Sequence, residues 1–153
     1  MANKLFGVKV ICPERVFFEG EADMLELRTT EGEIGILADH IPLTAVIAPG
    51  IMRIINGSEK KEAALNEGFV EILGDKVIIL AESCEWPDEI DLARAQEAKV
   101  RAERRLKGEN GEIDELRAEL ALRKSLVRID LAERRKYGSR CNSNKECRVH
   151  GTE

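Results

Sequence analysis

Histidine is nearly absent from this 153-residue chain. His40 and His150 are its only two, and neither has a neighbour suited to acid–base work. No Ser/His/Asp or Cys/His set is therefore available for nucleophilic catalysis. The chain alone is not expected to be an enzyme, and no catalytic residue is assigned. Cysteine is sparse as well. Cys12, Cys84, Cys141 and Cys147 are scattered and lack a secretory context, so they read as reduced thiols in a cytosolic compartment. Cys141, Cys147 and His150 lack zinc-finger spacing, and no metal site is expected. Met1 to Gly7 has no apolar h-region, which argues against a signal peptide. No apolar run approaches the ~20 residues of a membrane-spanning helix. Gly32-Glu33-Ile34-Gly35 lacks the lysine and the length of a phosphate loop. Aromatic residues are few, at 4%, although a hydrophobic content of 43% is enough for a core.

Charge is plentiful, at 35% of residues, but unevenly spread. Residues 1–87 hold 15 acidic against 8 basic side chains, net −7, whereas residues 88–137 hold 12 against 13. An acidic N-terminal part makes nucleic acid an improbable partner.

That part reads as closely spaced strands. Leu5–Cys12 alternates through Val8 and Val10 until Pro13-Glu14 breaks it. Val16–Glu19, Met24–Thr29, Ile34–Leu37, Thr44–Ala48, Ile51–Ile55, Glu62–Leu65, Phe69–Leu73 and Val77–Ala81 follow, separated by turn residues. Asn56-Gly57 is a strong hairpin signal. About ten short strands with regular turns predict an antiparallel β-sandwich or flattened barrel.

A helical pattern begins after Glu85-Trp86-Pro87-Asp88. Proline suits a first helical turn, and Asp88, Glu89 and Asp91 suit its positive end. The first helix is expected to reach about Lys107, the turn to be Gly108–Gly111, and the second helix to run from about Glu112 to Lys136. Ile113, Leu116, Leu120, Val127 and Leu131 form its apolar stripe. So short a turn makes an antiparallel two-helix hairpin. Ala95, Ala98 and Ala102, with Ala118 and Ala121, let the helices approach closely. The fold class is thus α+β: residues 1–86 a sandwich, 87–137 a helical hairpin, and 138–153 a tail without periodicity, expected to be disordered.

Asp91, Arg94, Ala98 and Arg101 fall at i, i+3, i+7 and i+10, on one helical face. A carboxylate and two guanidinium groups around a small residue suit a purine nucleotide, because arginine offers forked donors to phosphate. The plainer reading is a solvated face held by an Asp91–Arg94 ion pair. On the second helix Arg117, Ala121, Lys124 and Arg128 also share a face, and antiparallel folding lets it meet the first. Residues 123–136 hold six basic against two acidic side chains, a local excess of +4.

These segments together resemble a known family. Gly32–Leu37 running into His40-Ile41-Pro42-Leu43, Gly68-Phe69, Val77–Ala81, Ile90–Ala95, Arg101–Leu106 and Arg117–Leu122 stand in the order and spacing of the epsilon subunit of bacterial F-type ATP synthases, over about residues 4–136. The resemblance implies a rotor-stalk subunit at the cytoplasmic face of the cell membrane. Its sandwich would bind the gamma subunit and the c-ring, and its hairpin would fold down or extend toward the alpha/beta catalytic hexamer and block ATP hydrolysis. Membrane contact would come only through the complex. No cofactor is implied as required; ATP is implied as a regulatory ligand of the folded hairpin. By position, Ile90, Asp91, Arg94 and Ala95 would hold adenine and ribose, Glu85 and Arg101 would assist, and Arg117 and Arg128 would contact phosphates. Lys124 stands where the tight-binding members carry arginine; it lacks the fork, so lower affinity, or none, is expected. Glu31, Asp39 and His40 would face the c-ring, and Arg123, Arg128, Arg134 and Arg135 an acidic loop of the beta subunits. Coupling by proton or by sodium ion stays open. So do two rival classes, a free-standing ATP-sensing module and a chaperone-like adaptor that grips clients with its two-helix arm.

Overall fold

The computed structural model describes residues 3–108, 111 and 114–143, with side chains as far as Lys136. Ten strands come first: β1 Phe6–Cys12, β2 Arg15–Ala22, β3 Met24–Thr29, β4 Gly32–Leu37, β5 Leu43–Ile47, β6 Gly50–Asn56, β7 Glu59–Leu65, β8 Gly68–Leu73, β9 Lys76–Ala81 and β10 Cys84–Glu85. Two helices follow, α1 Leu92–Leu106 and α2 Glu115–Ser143.

The strands form one ladder in the order β10-β7-β6-β3-β5-β8-β9-β1-β2, with β4 paired to β3. A single residue pair, Thr29 with Ile47, joins β3 to β5 in that ladder, and there the sheet folds over into a sandwich. The expected antiparallel pairing holds throughout except for β1 and β9, which run parallel. Alternation explains the core. Val8 and Val10, Leu25 and Leu27, Met52 and Ile54, Val70 and Ile72, Val77 and Ile79 each face inward at period two and are buried. Burying each such side chain contributes about 1.5–3 kcal/mol. Asn56 pairs with Glu59, which leaves Gly57-Ser58 as the two-residue hairpin loop, and Gly57 takes the positive φ of 60° that the loop needs.

The opposite face of the second layer is less usual. Val46 lies opposite Phe69, Phe69 opposite Leu80, Leu80 opposite Ile11, and Ile11 opposite Val16. One apolar row therefore crosses β5, β8, β9, β1 and β2. Val46, Phe69, Leu80 and Val16 on it are exposed, Phe69 at 56%.

The helices depart from the sequence reading at both ends. Residues 87–89 form a turn, and α1 starts only at Leu92. Asp91 is its N-cap, accepting from the Arg94 N–H at 3.1 Å. Glu89, expected near the helix start, is bound elsewhere: its carboxylate accepts from Arg15 and from the Trp86 N–H. The start of α2 moves likewise. Asp114 accepts from the Arg117 N–H through its side chain and from the Ala118 N–H through its carbonyl, so the helix opens at Glu115. At its far end α2 continues to Ser143, past the boundary placed at Tyr137. Residues 144–153, with Cys147 and His150, lie outside the described residues, as do Glu112 and Ile113.

The helices pack antiparallel through small residues. Ala95, Ala102 and Ala118 are buried as expected, with Ser125, Leu131 and Ala132. Leu116, placed on the apolar stripe from sequence, is 77% exposed instead. The buried stripe of α2 runs through Ala118, Ser125 and Ala132, one heptad apart. Small side chains there allow close approach, and the Ser125 hydroxyl is satisfied by donating to the Ala121 carbonyl at 2.6 Å.

Candidate functional site

The sandwich meets α2 along the edge formed by β7 and β10. Gly68 makes this edge possible. A Cβ there would stand 1.9 Å from the Leu80 carbonyl oxygen, so only glycine lets the β7–β8 turn lie against the end of β9. The contact is secured by Glu82 N–H donating to the Glu67 carbonyl, Asn66 N–H to the Ser83 carbonyl and Asn66 Nδ2 to Ser83 Oγ. Two acidic residues distant in sequence, Glu67 and Glu82, thereby become neighbours, and Glu85 follows on β10.

Lys124 and Arg128, one turn apart on α2, point at these carboxylates. Lys124 Nζ lies 2.7 Å from Glu67 Oε2 and 2.5 Å from Glu82 Oε2. Arg128 Nε donates to Glu85 Oε2. The Lys124 ammonium is mostly covered, its side chain 19% exposed. Burial alone lowers its pKa, but the bonds to Glu67 and Glu82 outweigh burial and hold it above the ordinary lysine range.

Just beyond this edge, Trp86 stacks on Phe17 with ring centroids 4.4 Å apart, and Phe18 meets it edge-on at 6.5 Å. Arg15 lies over the Phe17 ring and pairs with Glu89 at 2.7 Å. Hydrogen bonds from Arg15 and from the Trp86 N–H hold the Glu89 carboxyl below its ordinary value. Cys12 and Cys84 line an adjoining cleft of about 410 Å³. Both are free thiols, and burial is the main force raising their pKa values.

Of the residues proposed for nucleotide, Glu85, Lys124 and Arg128 are brought together at this edge. Ala95 is buried in the helix seam, and Asp91 caps its own helix. Arg101 pairs loosely with Glu97 at 3.8 Å. Ile90 lines a cleft of about 430 Å³ with Pro87, Leu92 and Ala132. Arg94, Arg101 and Arg117 are exposed, whereas Lys124 and Arg128 face the sandwich. Of the basic residues expected near a beta subunit, Arg128 is thus engaged with Glu85, Arg134 pairs with Asp130 at 2.8 Å, and Arg123 is exposed beside a cleft of about 490 Å³ between α2 and β6. Arg135 lies on the exposed face of α2.

The expected c-ring residues do not form one cluster. Glu31 sits in the β3–β4 turn, and the whole of β4 separates it from Asp39 and His40. Asp39 adopts a positive φ of 60° and pairs with Lys4 at 2.6 Å, while His40 Nδ1–H donates to the Ile41 carbonyl. Leu37, Ile41 and Leu43, near them in the chain, are exposed, as is Leu5 beside Lys4. Sequence reading missed Glu67 and Glu82, whose juxtaposition depends on strand register. The turn residues Asn66-Glu67-Gly68 and Gly74-Asp75, which bracket β8, are the local signals that set it.

Comparison with known proteins accounts for this two-part design. Residues 5–87 match the family of the ATP synthase delta/epsilon chain beta-sandwich domain, and residues 88–133 that of its long alpha-helix domain. The ATP synthase epsilon chain of Caldanaerobacter subterraneus is 44% identical over 133 residues, which span 86% of this chain and 96% of that one. That of Halalkalibacterium halodurans is 47% identical over 128 residues, 83% and 96% of the two. A chain in the structure of the Euglena gracilis mitochondrial ATP synthase superposes with a TM-score of 0.73 at 20% identity, covering 87% of this chain and 84% of that chain, and shares its fold. A sandwich, a capped helical hairpin and relatives this similar over nearly their full length lead to one assignment: the chain belongs to the ATP synthase delta/epsilon chain family.

Proposed function

We propose that this chain is a non-catalytic epsilon subunit on the rotor stalk of an ion-driven ATP synthase, at the cytoplasmic face of the membrane, where it joins gamma to the c-ring and restrains ATP hydrolysis through its hairpin. Among the described residues no helix is long and apolar enough to cross a membrane, so contact with the bilayer comes through the complex. The observation that carries the reading is the character of the α2–sandwich junction. It rests on the ion pairs of Lys124 and Arg128 beside an open cleft between α2 and β6, with the apolar core of the sandwich complete beneath it. A hairpin attached in this way can leave without opening that core. The row Val46–Phe69–Leu80–Ile11–Val16 supplies an apolar face for gamma. The end carrying Asp39, His40 and Ile41 suits the c-ring. Arg123, Arg128, Arg134 and Arg135 give the released helix a cationic face for the acidic side of the catalytic hexamer.

ATP enters this reading as a conformational ligand of the docked hairpin. Its phosphates would need Arg117, Lys124 and Arg128, and must compete with Glu67, Glu82 and Glu85 for the last two. A ligand shifts an equilibrium only by its differential affinity for the two states. MgATP should therefore raise the melting temperature of the isolated chain. Arg94→Ala and Arg128→Ala should each weaken its binding by about 1.5–3 kcal/mol.

The test is reconstitution. A chain ending after Ile90 should assemble with gamma and c-ring yet raise ATP hydrolysis by the complex, and Phe69→Asp should weaken capture by gamma. Unchanged hydrolysis after truncation removes the inhibitory role. Failure to capture gamma favours a free-standing nucleotide sensor or an adaptor.

A further inference from the structure

Lys124 departs from the arginine that the nucleotide-site resemblance leads one to expect, and the geometry around it offers a reason. Its ammonium touches two carboxylates at once, from two different turns. A guanidinium can also bridge two carboxylates, as Arg53 does between Glu26 and Glu62, but its donors are fixed in one plane, whereas a compact ammonium brings both Glu67 and Glu82 onto a single atom. The acidic pair is set in place before the helix arrives. The close approach at Gly68 and the bonds from Glu82 to Glu67 and from Asn66 to Ser83 fix both turns from within the sandwich.

We propose that Glu67 and Glu82 form a built-in anionic latch that receives Lys124 in place of nucleotide phosphates and holds the hairpin on the sandwich without ATP. This rests on the reading that the hairpin has docked and released forms, and adds what keeps it docked. The Arg128–Glu85 pair extends the latch by one turn toward the hinge. The small-residue stripe of α2 faces α1, whereas on the sandwich side Leu126, Val127 and Ile129 border an open cleft of about 490 Å³ against β6, and the charged contacts close the junction beside it. Glu67 and Glu82 remain 41% and 60% exposed. The latch is therefore reachable by ions, and salt loosens it.

The experiment uses the isolated full chain without nucleotide, followed by amide hydrogen exchange of α2 and by the radius of gyration from solution scattering. In low salt, the Glu67→Gln/Glu82→Gln variant should lose about tenfold or more of its α2 protection and expand. Lys124→Glu should do the same. Adding Glu67→Lys and Glu82→Lys to Lys124→Glu should restore docking by reversing the pair. Lys124→Arg should dock less well than the natural chain. Exchange in β1 and β9 serves as the control that the sandwich stays folded. The latch is refuted if α2 protection stays within about twofold of the natural chain in the Gln variant, or if charge reversal fails to restore it. No complex and no ATP take part, so that failure leaves the subunit assignment standing.

Discussion

A methyl group at position 68 would collide with the Leu80 carbonyl, and backbone cannot move aside as a flexible side chain would. Gly68→Ala should therefore cost roughly 2–3 kcal/mol of sandwich stability, measurable by denaturant unfolding. It should also disturb docking of α2, because it separates Glu67 from Glu82. Glu89 makes a complementary test. Its folded pKa is depressed by the Arg15 and Trp86 bonds, so its contribution is complete above the ordinary glutamate value of about 4.3 and is lost as pH falls through the lower folded value. Carboxyl NMR titration should find Glu89 below that value, and Glu89→Gln should abolish this part of the acid sensitivity.

Among the elements, α1 and α2 depend on side chains that are small enough. Ala102 is 1% exposed at the seam, so Ala102→Leu should push the helices apart and cost about 1–3 kcal/mol, lowering helical protection in hydrogen exchange while β6 stays protected. This seam was readable from the alanine spacing, as were most strands from period-two alternation; Met24–Thr29 has the same bounds in both. The start of α1 was not readable. Pro87, Asp88 and Glu89 are good opening residues by local propensity, but Glu89 is claimed by Arg15, 74 positions earlier. Asp91, the residue singled out for nucleotide, became the cap. Leu116 misled for a local reason: the apolar stripe holds at Leu131, 1% exposed, and partly at Leu120 and Val127, but Leu116 lies in the first turn of α2 and is exposed. The Glu67–Glu82 pair follows from the β8–β9 register, which the two-residue Gly74-Asp75 turn sets by pairing Leu73 with Lys76, but nothing local says that α2 would bring a cation there.

At the scale of the molecule, the sandwich owns more of the chain than its last long strand suggests. Trp86 and Glu89 belong to it by contact, so we predict that a fragment ending after Ile90 unfolds cooperatively in thermal melts, as an independent core should. Ending the fragment at Trp86 removes the Glu89 tie and should lower the melting temperature. A fragment that binds hydrophobic dye and melts without a clear transition would mean that the hairpin is needed to complete the fold.

The Phe17–Trp86 stack has an optical consequence. This is the chain's only tryptophan, and it lies before the pivot, clamped by its ring partner and by Glu89. Its emission therefore belongs to the stationary part of the molecule. If α2 leaves the sandwich as proposed, the emission should keep its wavelength and lifetime, and change only when the sandwich itself comes apart. A dye placed on α2 can thus be read against an internal light source that does not move with it.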